Sequence, residues 1–367
     1  MDVMEKAHAL EAGGDPIVHL EVGEPDFDTP LPIKEAAARA LAAGHTHYTH
    51  SLGIPELREE ICRYYEREYG VKITPERTIV TSGTSPALLL VFAALLDPGD
   101  EVILSDPHYA CYPNTIRLAG GSPVYVPLRE EEGFRYHPEA IRERIGPRTR
   151  AILINSPANP TGIVLPPEQL QALAGLDITV VSDEIYHGLV YEGRAHSLLE
   201  YTDDCIVING FSKRYAMTGW RLGYAIVPPG LVRAVQKLQQ NLFICASSLA
   251  QHAAISALTE CEEYVREMVS TYDARRRHLI RRLREIGLGV AVEPTGAFYV
   301  LANARRFSRD SYALAMELLE KARVAVAPGI DFGANAEGYL RFSYANSVDN
   351  IEEGMCRLAA YLATRRG

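Results

Sequence analysis

From residue 78 onward the chain alternates short apolar runs with helical stretches, and that alternation most constrains what it can fold into. Strand-like runs at 78–81, 101–105, 123–127, 151–155 and 178–182 are separated by stretches with helical character at 86–96, 138–145 and 167–173. Strand and helix in turn predict an α/β fold, a largely parallel sheet covered by helices on both faces, with ligands gathering where the strands end. Two further apolar runs, 205–208 and 222–227, follow with only about a dozen residues between them, too few for a helical crossover. The second of these strands is therefore expected to run antiparallel to the first.

The residues at those strand ends carry chemistry. The connection at 209–224 reads NGFSKRYAMTGWRLGY and sets Lys213 directly after an apolar strand, among small and aromatic neighbours. A lysine so placed can have its pKa lowered and act as a nucleophile, although most lysines are solvated surface charges. Ser212 adds a hydroxyl and a backbone N–H, and Arg221 a two-pronged guanidinium, a set that suits a dianionic phosphate. Asp183 ends the apolar run 178–182, so its carboxylate is expected to be partly buried and to want a cation, with Glu184 turned elsewhere. Thr84 and Ser85 sit in a small-residue turn that feeds a helix, where free N–H groups at the positive end of the dipole can cradle phosphate. Any strand-to-helix turn in an α/β protein shares that look. Arg341 stands in an alternating strand near the C-terminus and could equally be a surface arginine, and Gly23 could be a plain turn glycine.

Taken together, SK followed by MTGWRLGY resembles the cofactor-lysine signature of the class I/II pyridoxal-phosphate aminotransferases. Four more segments, GEPDF at 23–27, HYTHSLGIPELREEI at 47–61, ANPTG at 158–162 and SDEIY at 182–186, resemble that family in the same order. The resemblance implies a mostly parallel seven-stranded sheet in a large domain, 26–274, and a small α+β domain built from both chain ends, 1–25 and 275–367. It implies that Lys213 holds pyridoxal 5'-phosphate as an imine and passes an amino group from an amino acid to a 2-oxo acid by a ping-pong route. Asp183 would pair with the pyridine nitrogen, Tyr186 and Asn159 would donate to the ring oxygen, and Tyr109 would stack on the ring. Thr84, Ser85, Ser212 and Arg221 would hold the phosphate, joined by Tyr48 from the neighbouring subunit of a homodimer. Gly23, Asn159 and Arg341 would receive the substrate carboxylate. Three departures stand out: Gly210 lies where many relatives have a phosphate-binding serine, the chain begins later than its relatives, and no arginine can be assigned to a second substrate carboxylate.

Composition narrows the alternatives. With 367 residues and 47% hydrophobic content the chain can bury one large core and a smaller one. A net charge of −10 without a long basic block argues against a nucleic-acid surface and for small-molecule partners. The six cysteines form no CxxC pair and are read as reduced thiols of a cytoplasmic protein. The longest apolar run, 87–96, is about half of what a bilayer span needs, so no membrane partner is expected. His45, His47 and His50 have ligand-like spacing, yet no second ligand group accompanies them and no metal is expected. Residues 262–286 are expected to form a long helix bridging the two domains, with an apolar stripe at Leu279, Leu283 and Ile286 and its arginines mostly around a solvated face. A lyase or cyclopropane-carboxylate synthase of the same fold shares the lysine, aspartate and arginine, and a non-catalytic pyridoxal-phosphate sensor fused to a DNA-binding module is a more distant alternative. A serine hydrolase centred on Ser212 lacks the second glycine of a nucleophile elbow, and no GxGxxG stretch supports a nicotinamide dehydrogenase.

Overall fold

A computed structural model describes residues 2–365. Its strands in chain order are β1 (Val18–His19), β2 (Thr78–Thr81), β3 (Glu101–Asp106), β4 (Ser122–Pro127), β5 (Thr149–Asn155), β6 (Thr179–Asp183), β7 (Cys205–Gly210), β8 (Gly223–Ile226), β9 (Tyr299–Asn303), β10 (Val324–Ala325), β11 (Ala327–Pro328) and β12 (Tyr339–Ser343). Seven of them form one sheet in the order β2-β8-β7-β6-β5-β3-β4. β8 runs antiparallel to both β7 and β2, as the short 209–221 connection requires, and the remaining pairs are parallel.

Period-two alternation divides this sheet between two apolar layers. Ile152, Ile154, Val180, Val207 and Ile226 face a core shared with Leu57 and Ile61 of the helix Pro55–Tyr69 and Ala250 and Ala254 of the helix Ser248–Glu260. Their neighbours Ala151, Leu153, Val181, Ile206, Ile208 and Ala225 face the other way, onto Leu88 and Val91 of the helix Thr84–Leu95 and Val235 of the helix Pro229–Leu242. Because both faces are covered, the central strands read as nearly continuous apolar runs.

A second core gathers the two ends of the chain. Val3 and Ala7 of the helix Asp2–Ala12 pack with Leu20, Phe298, Val300, Leu340, Phe342 and Leu358 around the antiparallel sheet β11-β12-β9 and the parallel pair β1-β10. The helix Glu262–Ile286 joins the cores, with Val265 in the first and Met268, Tyr272, Leu279 and Leu283 in the second.

Two expectations are corrected. The face of that long helix is not uniformly solvated: Arg276 is 2% exposed, ion-paired with Asp273 and Glu192, bonded to the Pro294 carbonyl at 2.7 Å and lying over the Tyr191 ring. Paired charges and a satisfied fork make that burial tolerable, while Arg277 and Arg281 do face solvent. The run IVHLEV at 17–22, which reads as a short strand ahead of GEPDF, pairs as a strand only at Val18–His19, because beyond Leu20 the backbone carbonyls of Glu21 and Gly23 are taken by the side chains of Arg341 and Lys213. Among the described residues no helix is long and apolar enough to cross a membrane. His45 lies against the His252 ring at a tilt of 36° and His50 accepts from the Leu52 N–H, and the one described cluster of three potential metal-ligating side chains is elsewhere, at His8, Glu11 and His19.

Candidate active site

The parallel strands end along one edge of the sheet, and a cavity of about 650 Å³ opens there, closed from the far side by the second core. Asn155 ends β5, Asp183 ends β6, and Lys213 follows β7 by three residues, so three successive strand ends deliver an amide, a carboxylate and an amine to one wall. Gly23 and Arg341 of β12 approach from the opposite side.

Lys213 donates from Nζ to the Gly23 carbonyl at 2.7 Å and stands over the Phe298 ring. Burial lowers its pKa to about 8, with nearby Glu24 pulling the other way. Asp183 is 3% exposed. Its Oδ2 accepts from the Tyr112 hydroxyl at 2.7 Å and its Oδ1 from the Ile185 N–H at 3.1 Å. Burial raises its pKa to about 6, and those two hydrogen bonds hold it from rising further. Asn155 fixes the neighbouring backbone, donating to the Asp183 carbonyl and accepting from the Asn159 N–H. Glu184 points away as expected, its Oε1 accepting from Ser182, Ser197 and the Leu198 N–H.

One end of the cavity is built for an anion. Thr84 and Ser85 open the helix Thr84–Leu95, whose first turn has no side-chain cap, so its leading N–H groups remain available. Gly83 precedes them at φ +104°, and a Cβ there would lie 2.6 Å from Nη2 of Arg221. The glycine thus lets the guanidinium lie against the helix start. Arg221 itself holds a left-handed φ of 54° and donates to the Thr218 carbonyl, and the Ser212 side chain lines the same end. A Cβ on Gly210 would press on Gly223 Cα at 3.0 Å, and strand contact thus accounts for the small residue at that departure from the family.

At the other end Arg341 is buried. Its Nη1 donates to Asn159 Oδ1 at 3.0 Å and Nη2 to the Glu21 carbonyl, while Nε has no partner. Its guanidinium carbon lies 4.3 Å from the centroid of the Tyr299 ring. The Tyr299 hydroxyl meets that of Tyr186 at 2.8 Å and fills the place where a Cβ on Gly23 would stand, 2.6 Å away. Tyr109 lines the cavity edge-on to Tyr112.

The structure therefore brings together every candidate named from the sequence except Tyr48, which is 80% exposed and outside this cavity. Sequence reasoning missed Tyr112 and Tyr299 as working residues. Tyr112 lay three residues past Tyr109 and Tyr299 at the end of the run GAFY, 296–299, and nothing local pointed either at its partner.

The residues present fit pyridoxal phosphate. A cradle that a Cβ would fill, a buried amine, a buried carboxylate without a cationic partner and an arginine with a free buried N–H match its phosphate, aldehyde, ring nitrogen and amino acid substrate respectively. Comparison with known proteins points the same way. The aminotransferase class I and II family model matches residues 15–358. The aspartate/prephenate aminotransferase of Thermus thermophilus is 45% identical, covering 98% of this chain and 94% of that one. The (5-formylfuran-3-yl)methyl phosphate transaminase of Methanocaldococcus jannaschii is 42% identical over 99% of this chain and 96% of its own. The solved structure of Thermus thermophilus aspartate aminotransferase with maleate superposes with a TM-score of 0.94 at 45% identity, over 98% of this chain and 95% of that one. The chain belongs to the class I and II aminotransferases, a pyridoxal-phosphate-dependent family that moves amino groups between amino acids and 2-oxo acids.

Proposed function

We propose that Lys213 is the covalent anchor for pyridoxal phosphate and the base that carries a proton at the substrate's Cα in this aminotransferase. The observation that carries the reading is a buried amine with a lowered pKa in one cavity with the Asp183 carboxylate, the Arg221 anion cradle and Arg341. When bound, the cofactor supplies an electron sink for the carbon acid of the amino donor. Asp183, ionised at neutral pH and buried, is matched by a protonated ring nitrogen and keeps it protonated. Thr84, Ser85, Ser212 and Arg221 bind the phosphate, Tyr109 covers the ring, and Tyr186 and Asn159 donate to its oxygen. Arg341, with the Gly23 backbone and Asn159, holds the α-carboxylate through the guanidinium N–H groups that Asn159 and the Glu21 carbonyl leave free.

The reading extends to the assembly. Tyr48, an exposed phenol with no role in its own cavity, reaches the phosphate of a second copy in a homodimer. The two cores support a large domain at 26–274 and a small one from 1–25 and 275–367. Six free cysteines fit a cytoplasmic protein.

The test is borohydride reduction of the protein loaded with pyridoxal phosphate, followed by peptide mapping, and an assay of 2-oxo acid release. Label on Lys213, with one 2-oxo acid and no ammonia released per site when no acceptor is present, is expected. Label on another lysine, or stoichiometric ammonia, overturns the proposal.

A further inference from the structure

We infer that the amino donor carries an uncharged, apolar side chain and that this cavity discriminates against dicarboxylic amino acids. The inference rests on the reading above for its orientation: phosphate at Arg221, α-carboxylate at Arg341. Those two assignments and Lys213 exhaust the basic side chains among the described residues that line the cavity. Arg341 gives one N–H to Asn159 and one to the Glu21 carbonyl and the rest of its fork to the α-carboxylate, and Arg221 lies against the helix start. Nothing cationic remains for a second carboxylate.

The wall left for the donor's side chain is of the opposite character. Val3 and Met4 of the N-terminal helix, Ala327, Pro328 and Phe332 form an apolar surface beside Arg341, whose guanidinium carbon lies 4.8 Å from the Phe332 ring centroid. The ionisable group that joins them beside Arg341 is an acid, Asp331, while Glu21 on the same lining is ion-paired with His19 and Glu24 is held by Thr218 toward the Arg221 end. A distal carboxylate would meet like charge there and lose its water without gaining a partner. The segment around Tyr48, which the dimer reading brings to the neighbouring site, holds no lysine or arginine between residues 45 and 53. A branched or aromatic side chain, by contrast, exchanges water for apolar contact along the whole wall. The relatives named above do not settle this choice, since one is named for aspartate and prephenate and another for a phosphorylated furan aldehyde.

The experiment uses the cofactor-loaded protein and two readouts. In single turnovers without acceptor, phenylalanine, leucine and methionine are expected to react with a second-order rate constant at least ~10-fold above that for aspartate or glutamate, the scale on which apolar pockets discriminate. In calorimetry, the unreactive acid 3-phenylpropanoate is expected to bind at least ~10-fold more tightly than maleate. Met4→Arg, which places a cation in the wall, is expected to raise the rate constant for aspartate relative to phenylalanine. Aspartate or glutamate as the fastest donor, tighter binding of maleate, or an unchanged ratio in Met4→Arg each overturns the inference. Tight binding of 3-phenylpropanoate with no turnover of any amino acid would instead overturn the reading of the reaction and leave the pocket assignment standing.

Discussion

The Tyr112 hydroxyl donates to Oδ2 of Asp183 at 2.7 Å, joining the helix Tyr112–Leu118 to the end of β6 across 71 residues of sequence. Both groups are buried, and this bond is the largest influence holding the carboxyl's pKa down against burial. Tyr112 thus tunes Asp183 without itself accounting for the reaction. Tyr112→Phe is expected to leave the fold intact, to lower kcat about 10-fold through loss of one charge-assisted bond, and to move the acid limb of the pH–kcat profile upward. An unmoved acid limb would reduce Tyr112 to packing.

Asp183 carries a cost that the cofactor-free protein should reveal. Its folded pKa, about 6, lies above the ordinary 3.8, so the folded state binds the proton more tightly and stability falls as pH rises between those values. The full penalty, roughly 3 kcal/mol, is present above pH 6 and absent below the ordinary value. Asp183→Asn is therefore expected to make the cofactor-free protein more stable to urea at pH 8 but not at pH 4, while cutting activity by about 100-fold or more. Equal urea midpoints for variant and parent at pH 8 would contradict the buried-charge argument.

Lys213 offers a measurement on the same protein. Its amine is lowered from 10.5 to about 8, so the neutral, nucleophilic form dominates above about 8 rather than only above the ordinary 10.5. Acylation of Lys213 in the cofactor-free protein, followed by peptide mass spectrometry, is expected to rise with pH and level off above about 8, while that of a free alkylamine added to the same solution goes on rising. Parallel curves for the protein amine and the free one would remove the case for an activated amine.

These relationships divide by how far apart their partners lie in the chain. The continuous apolar run Ala151–Ile154, and the chemistry placed soon after such runs at Asn155, Asp183 and Lys213, were legible because strand and strand end are adjacent in sequence. The antiparallel turn of β8 followed from a connection too short for anything else. The Tyr112–Asp183 and Tyr186–Tyr299 contacts were not legible, since a tyrosine reads as core until its partner, 71 or 113 residues away, is placed. Arg276 was misjudged for a different reason. It falls on the buried row Tyr272, Arg276, Leu279, Leu283 at helical spacing, so its position marked it as inward while its charge suggested solvent. Tyr48 is the reverse case, noticed only through a family resemblance and silent within a single chain.

Arg341 makes a geometric demand that lysine cannot meet. Two of its five N–H donors are bound to Asn159 and the Glu21 carbonyl and its plane lies on Tyr299, leaving the rest of a rigidly held fork for a substrate carboxylate. Arg341→Lys keeps the charge but loses the fork and the stacking. KM for amino acid donors is expected to rise about 100-fold or more with little change in cofactor affinity, while an amine lacking a carboxylate reacts equally well with parent and variant. A matching loss with that amine would show that Arg341 supports the cavity wall instead of gripping the carboxylate.

The shared-site reading of Tyr48 can be decided by mixing two defective chains. Lys213→Ala removes the amine from its own cavity, and Tyr48→Phe removes a phosphate donor from its neighbour's if the phenol crosses the interface. In a mixed dimer, the Tyr48→Phe chain supplies an intact Lys213 and receives an intact Tyr48 from its partner, so one cavity is fully native and the other doubly defective. Random reassembly of equal amounts gives half mixed dimers, so roughly a quarter of all cavities should be native. At pyridoxal phosphate concentrations too low to load the Tyr48→Phe protein, the mixture is then expected to show roughly a quarter of the parent's activity, well above either variant alone. If Tyr48 served its own cavity, the mixed dimer would contain one site without the amine and one without the phenol, and no activity would return on mixing.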